Sequence, residues 1–259
     1  MNTKSIGFIG GGRITRILLE GWQRKGFIPA QVTVSDANQQ ALDALKQKFP
    51  QITCVLGDNA QPAASDIVFL ALHPPVMKDG LQAVAAALKP NAILVSLAPK
   101  FSIVALSNLL GGFQRIVRMI PNAPSIVNRG YNPTVFSPAI SAAEKAELSD
   151  MFALLGAFPE VLEATMEAYA MTTAMGPTYF WPQLNTLREL AVSFGLSEQA
   201  AKEGVRQMME GALATMFDTD LTFEEVMNLV PAKPLADDQA MIKNLYQTKL
   251  TELFKKLTT

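Results

Sequence analysis

Gly10, Gly11 and Gly12 follow the apolar run Ser5-Ile6-Gly7-Phe8-Ile9 and precede Arg13-Ile14-Thr15. A strand that bends through Gly-x-Gly into an amphipathic helix is a recipe for holding a diphosphate. The first glycine permits the sharp turn, and the second lets phosphate oxygens reach the main chain. The helix start adds unbonded N–H groups and a partial positive charge. Backbone N–H groups from Gly10, Gly12, Arg13 and Ile14 are the candidate ligands. The third fingerprint position, ordinarily Gly or Ala for close packing, is Thr15. A glycine triplet also fits a plain structural turn, so the flanking elements decide. Ile14, Ile17, Leu18, Gly21 and Trp22 follow a helical period. A second strand, Val32-Thr33-Val34, ends at Ser35-Asp36, where an acidic side chain can meet an adenosine ribose.

What the chain lacks narrows the chemistry further. His73 is the one histidine and Cys54 the one cysteine, which excludes multi-histidine metal sites and thiolate clusters. A Ser-His-Asp hydrolase would have to use His73, and no Gly-x-Ser-x-Gly elbow is present. Redox chemistry carried by a borrowed nicotinamide is the stronger expectation. Net charge is −1 with no basic block, which argues against a nucleic-acid partner. No apolar run approaches the length of a membrane span, and glycines interrupt the N-terminal run at once, so no signal peptide and no membrane partner are expected. A single cysteine permits no intrachain disulfide, and a cytoplasmic location is expected.

These residues need elements to place them. Strands are predicted at 5–9, 31–35, 52–55, 66–72, 92–97, 115–119, 133–137 and 157–162, with helices near 13–25, 38–48, 76–88, 102–110 and 141–155. The runs 67–72 and 93–97 are continuously apolar, as a parallel strand covered on both faces requires. The alternation implies right-handed crossovers and a doubly wound sheet. Ligands in such sheets lie outside the carboxyl ends of the strands. The loops there are Gly10–Gly12, Ser35–Asp36, Leu72–Pro75, Ala98–Lys100 and Ile120–Asn122. Ala71, Leu72, His73, Pro74, Ala98 and Asn122 therefore join the cofactor-facing candidates. His73 has an alternative role as a strand cap.

Near 163 strands give way to helices, predicted at 164–194, 197–217, 222–229 and 236–257, with Pro177 and Pro182 bending or breaking the first. The fold class is α/β: a Rossmann-type domain over 1–162, followed by an all-α domain over 163–259. The second half is rich in Met and Leu, and its helical residues look too few to bury that surface alone. A homodimer through these helices is expected, with higher assembly open.

The chain as a whole resembles the pyrroline-5-carboxylate reductase family. The resemblance rests on Ile6–Gly12, on Asp66–Pro74 and on Arg118-Met119-Ile120-Pro121-Asn122-Ala123-Pro124, close to the family's Arg-x-Met-Pro-Asn-x-Pro. It extends through Gly176-Pro177-Thr178-Tyr179, Gly195-Leu196 and Gln207–Ala212. It implies an NAD(P) domain, a helical dimerisation domain, and reduction of a small cyclic imine by hydride transfer, of the proline-biosynthesis type. It also implies that Asn59 contacts the nucleotide, with a turn residue as the alternative. Related hydroxyacid dehydrogenases use a lysine in the inter-domain helix, but this chain has no lysine between Lys145 and Lys202. That absence fits an imine, which needs little acid–base help.

The departures from the family lie mostly on the substrate side. The family's Ser-Pro-Gly-Gly-Thr-Thr loop, which binds the substrate carboxylate, corresponds here to Val230-Pro231-Ala232-Lys233-Pro234-Leu235. Thr173-Ala174-Met175 replaces a small Ser-Gly-Ser. His73-Pro74 stands for Lys-Pro, and Lys100 for a glycine. Met175, Tyr179 and Lys233 are the substrate-side candidates, and no catalytic side chain is assigned. A divergent oxidoreductase on another small substrate and a non-catalytic nucleotide-binding protein remain as alternatives. NADP (NADPH) and NAD both remain open as the cofactor. Asp36 opposes a 2′-phosphate, whereas Arg13 and Ser35 could receive one.

Overall fold

The computed structural model describes residues 4–72, 81 and 83–258. Its main sheet has seven strands in the order β3-β2-β1-β4-β5-β6-β8. These are β1 Ile6–Ile9, β2 Val32–Asp36, β3 Thr53–Leu56, β4 Ile67–Leu70, β5 Ile93–Ser96, β6 Ile116–Met119 and β8 Thr134–Phe136. The first six run parallel, while β8 pairs antiparallel with β6. The predicted strand at 157–162 shrinks to β9 Gly156–Ala157. It pairs with β7 Gly130–Tyr131, a strand too short to leave a periodic signal. The expected helix at 76–88 falls largely outside the described residues; helix is present at 83–87.

Register fixes where the loops emerge. Ile9 pairs with Ser35 on one side and with Leu70 on the other, and Leu70 pairs with Ser96. Gly10, Asp36, Ala71 and Leu97 therefore leave the sheet at one level. The order turns back between β1 and β4, which is the switch point where doubly wound sheets bind ligands.

Both faces of the sheet are covered, so its strands read as unbroken apolar runs. On one face Phe8 stacks on Phe69 at 4.8 Å, with Trp22 of helix α1 (Arg13–Arg24) edge-on to Phe69. The buried Trp22 indole donates to Met151 O at 3.1 Å, so its polar atom is satisfied. On the other face Ile9, Val68, Leu70 and Leu94 form a second apolar layer. Gly7 has no alternative there. A Cβ would sit 1.9 Å from Pro62 O in the short helix Ala60–Ala63.

The described residues divide into two compact units, one over Met1–Met175 with Lys256–Thr259 and one over Gly176–Lys255. Strand gives way to helix near 163, but the first unit continues to 175. Met166 and Ala170 are buried against Ile120. The predicted 164–194 helix is interrupted. A π-turn at Ala170–Ala174 is closed by Met175 N–H donating to Ala170 O, and a fresh helix runs over Pro177–Ser193. Pro177 starts that helix, where a missing N–H costs nothing, and the helix continues through Pro182. The remaining helices, Glu198–Phe217, Phe223–Asn228 and Gln239–Thr258, lie close to expectation. Among the described residues no helix is long and apolar enough to cross a membrane.

Asp66 stitches the sheet's amino edge. Its carboxylate accepts from Lys89 Nζ at 2.7 Å and from Ser5 N–H at 2.9 Å. The Lys89 bond first, then the Ser5 N–H, holds its carboxyl down to about 2, against an ordinary 3.8. A folded value below the unfolded one gives stability that is full above the unfolded value and lost as pH falls toward the folded one. After discounting for solvent screening, Asp66→Asn should cost about 1 kcal/mol at pH 7. The difference should fade between pH 4 and pH 2. Urea titrations of both proteins at pH 7, 4 and 2 check this, and an undiminished gap at the acid end contradicts it.

Candidate functional site

The bend from β1 into α1 is built for a small anionic group. Gly10 adopts φ +105°, and a Cβ there would lie 2.6 Å from Ala71 O. Gly12 is the N-cap of α1, exposed, with no side-chain cap and no acid in the first helical turn. A Cβ on Gly12 would meet nothing within 4 Å, so chain packing does not explain the glycine. The first N–H groups of a helix have no intrahelical acceptor. Arg13 is exposed beside them, and Ile14 rests against the core. Thr15, fully buried, donates its hydroxyl to Gly10 O at 2.5 Å and latches the loop to its own helix. A methyl or hydrogen could not do this, which accounts for the departure at the third fingerprint position.

Asp36 sets the second wall. One carboxylate oxygen accepts Gly11 N–H at 2.7 Å, and the other accepts Asn38 N–H at 2.8 Å. The acid is partly exposed at the end of β2, and no cation is bonded to it among the described residues. Ser35 is corrected by the structure. It is wholly buried, and its hydroxyl donates to Asn59 Oδ1 at 2.7 Å, so it orients Asn59 and cannot meet a 2′-phosphate. That bond leaves the Asn59 amide hydrogens free for a ligand. The signal for Asn59 in the sequence was the resemblance alone.

On the far side of the switch point, Ala71 and Leu72 are half-buried after β4, and Ala98 is buried after β5. His73 and Pro74 lie outside the described residues. Asn122 is the second correction. It is 6% exposed, and its N–H and both side-chain ends are committed. The N–H donates to Asn132 Oδ1 at 3.0 Å, Oδ1 accepts Tyr131 N–H at 3.1 Å, and Nδ2 donates to Thr173 O at 3.2 Å. Asn122 is a strut between a strand end and the 166–174 helical turn.

A charged cluster that the sequence reading did not assemble lies beside it. Arg118, in β6, is 2% exposed and bonds Glu163 Oε1 and Glu167 Oε1, each at 2.9 Å. A buried guanidinium is tolerable only when paired in this way. The same oxygens accept main-chain hydrogens from the segment after β5. Ile103 N–H reaches Glu163 at 2.7 Å, and Lys100 N–H reaches Glu167 at 3.2 Å. Lys100 sits at φ +80°, which costs a lysine about 1–2 kcal/mol. Glu163 and Glu167 at i, i+4 were the sequence signal, but their partner, 45 and 49 residues upstream of them, could not be read.

The substrate-side candidates are separately placed. Met175 ends the first unit, half-buried. In the second unit Tyr179 stands edge-on to Tyr246 at 6.0 Å, and burial pushes its phenol pKa up. Lys233 is exposed and donates to Asn228 Oδ1 at 3.2 Å. Burial also pushes the Cys54 thiol up, which disfavours its thiolate form. Among the described residues no cluster of His, Cys, Asp and Glu could hold a metal ion.

The chain is similar to known proteins in sequence and in fold. Residues 5–100 match a family described as NADP oxidoreductase, coenzyme F420-dependent, and residues 163–256 match pyrroline-5-carboxylate reductase dimerisation. The pyrroline-5-carboxylate reductase of Pseudomonas aeruginosa is 28% identical over 246 residues, covering 94% of this chain and 89% of that protein. That of Corynebacterium melassecola is 25% identical, covering 96% and 93%. Among solved structures, a pyrroline-5-carboxylate reductase from Coxiella burnetii superposes with a TM-score of 0.70 at 28% identity, covering 99% of this chain and 95% of that one. The Plasmodium falciparum pyrroline carboxylate reductase with NADP bound gives 0.80 at 19% identity, covering 99% and 96%, a likeness of fold.

Two glycine substitutions separate ligand space from packing. Gly12→Ala should leave the melting temperature within about 2 °C but weaken dinucleotide affinity by about tenfold or more, since its methyl enters space only a ligand needs. Gly10→Ala, strained and in collision with Ala71, should lower the melting temperature as well. Thermal melts with and without dinucleotide check both, and equal behaviour of the two variants counts against the assignment.

Proposed function

We propose that this chain is a reductase of the pyrroline-5-carboxylate reductase type and that its substrate is a small cyclic imine bearing a carboxylate, as in 1-pyrroline-5-carboxylate. It is an NAD(P)H-dependent oxidoreductase of that type. The observation that carries the reading is the uncapped start of α1 at Gly12, with open space above it, in a chain that also carries the family's dimerisation segment. The residues fit a dinucleotide. Gly12, Arg13 and Ile14 offer main-chain N–H groups to the diphosphate, whereas the expected Gly10 donor is corrected: its N–H is donated to Ser35 O at 2.8 Å, and Gly10 serves the turn alone. Asp36 and Asn59 flank the ribose, and Ala71, Leu72 and Ala98 line the run toward the nicotinamide.

The reduced nicotinamide, when bound, supplies the hydride. An iminium carbon is already electrophilic and its nitrogen already carries the proton, so the chain's own task is to orient the ring and exclude water. No general acid is required, which fits a chain without a lysine between 145 and 202. The Val230–Leu235 stretch supports a second reading, an altered imine. It lacks the glycines and threonines of the family loop, and Pro234 removes a further amide donor. Oxidation of NADPH and of NADH is to be followed with 1-pyrroline-5-carboxylate and with unsubstituted 1-pyrroline. Turnover of the first supports the primary reading, turnover of the second alone supports the altered substrate, and no turnover of either sinks both.

Asp36 and Arg13 pull cofactor choice in opposite directions. The fixed, unpaired carboxylate disfavours a 2′-phosphate, and the exposed guanidinium favours one. Asp36→Ser should shift the ratio of NADPH to NADH affinity toward NADPH by about tenfold, read by fluorescence titration with both cofactors.

We also infer a cytoplasmic homodimer formed through the second unit. Helices Pro177–Ser193, Phe223–Asn228 and Gln239–Thr258 bury no residue within one chain. Phe180, Trp181, Phe194 and Phe217 are 48%, 51%, 80% and 72% exposed. An apolar surface of this extent needs a partner, and a second copy is the partner the dimerisation match favours. Sedimentation at micromolar concentration should give twice the 28.1 kDa chain mass, and a monomer would overturn this.

A further inference from the structure

We propose that Lys100 is a substrate-binding residue whose ammonium receives the carboxylate of the anionic imine; this rests on the reaction proposed above. The sheet is two mononucleotide-binding halves, and β4 to β6 form the half that faces the nicotinamide end of an extended dinucleotide. Lys100 follows β5 by four residues, at the carboxyl edge of that half. At the described carboxyl ends of β1, β4 and β5 the cations are Arg13, beside the diphosphate loop, and Lys100. Lys233 is already bonded to Asn228.

Lys100 occupies φ +80°, where glycine would sit without strain. A side chain kept against its backbone preference points to a use for the side chain. The segment is pinned on both sides. Glu167 accepts the Lys100 N–H, Glu163 accepts the Ile103 N–H, and buried Arg118 holds both carboxylates. Both acids are held by Arg118, whose single positive charge offsets one of their two. The Lys100 side chain is exposed, and its ammonium is bonded to no carboxylate among the described residues. The result is a cation on a fixed base with a flexible stem, suited to a small carboxylate as a point charge.

Lys100→Gly removes the cation at a position where glycine is at ease, so its melting temperature should equal or exceed that of the parent. The ratio of kcat/KM for 1-pyrroline-5-carboxylate to that for unsubstituted 1-pyrroline should fall by about tenfold or more, carried by KM. Lys100→Arg should restore the ratio to within about threefold, because the charge returns. A ratio unchanged in Lys100→Gly overturns the proposal. Calorimetric titration of L-proline into protein saturated with oxidised dinucleotide gives an arm that needs no turnover. Binding about tenfold weaker in Lys100→Gly supports the assignment, and equal binding, or none by either protein, overturns it. If the parent chain reduces no imine, the reaction reading fails while the proline titration still decides the role of Lys100.

Discussion

Unbonded main-chain hydrogens at one bend organise the rest of this protein. A helix start leaves several N–H groups without acceptors, and most proteins satisfy them with a capping side chain. Gly12 gives α1 no such side chain, and the first turn carries no acid. The bend is instead stabilised from outside the ligand space. Asp36 takes the Gly11 N–H, Thr15 takes the Gly10 carbonyl, and Gly10 adopts a backbone conformation that brings it against Ala71. The donors nearest the helix axis stay open while everything around them is fixed. Such a site is preorganised, and an arriving diphosphate orders little that is not ordered already.

The second organising element is a buried charge. Arg118 sits in β6 with almost no solvent contact, and its two carboxylate partners come from the 3-10 turn Glu163–Thr165 and the short helix Met166–Tyr169 that follows it. The same carboxylate oxygens also accept main-chain N–H groups from the segment 100–103. One guanidinium thus ties three pieces of chain together at the edge of the sheet. Removing it would leave two acids close together without compensation, which is far costlier than the pair is worth. The arrangement explains why residues 163–175 belong to the compact unit of the sheet although they are helical.

The second unit follows a different rule. Its helices keep their apolar residues exposed within one chain, so packing inside the protomer cannot be what selected them. Association completes that core. The family dimerisation match spans the same helices.

Local pattern alone determined much. Continuous apolar runs gave the parallel strands nearly to the residue, because a strand buried on both faces has no other way to be written. Gly10–Gly12 announced the bend from β1 into α1, because a sharp turn and a close backbone approach demand glycine at short range. The antiparallel direction of β8, the two-residue β7 and the π-turn at 170–174 were not legible, since pairing direction and hydrogen-bond register leave no periodic trace. Ser35 and Asn122 were misread for a related reason. Both stand at strand ends where a ligand could lie, and only the fold shows their polar atoms already taken, by Asn59 and by Asn132, Tyr131 and Thr173. The Arg118 cluster and the held backbone of Lys100 likewise join residues tens of positions apart. Chemistry set by neighbours along the chain is written in the sequence, whereas chemistry set by which polar groups find one another across the fold exists only once the strands are in register.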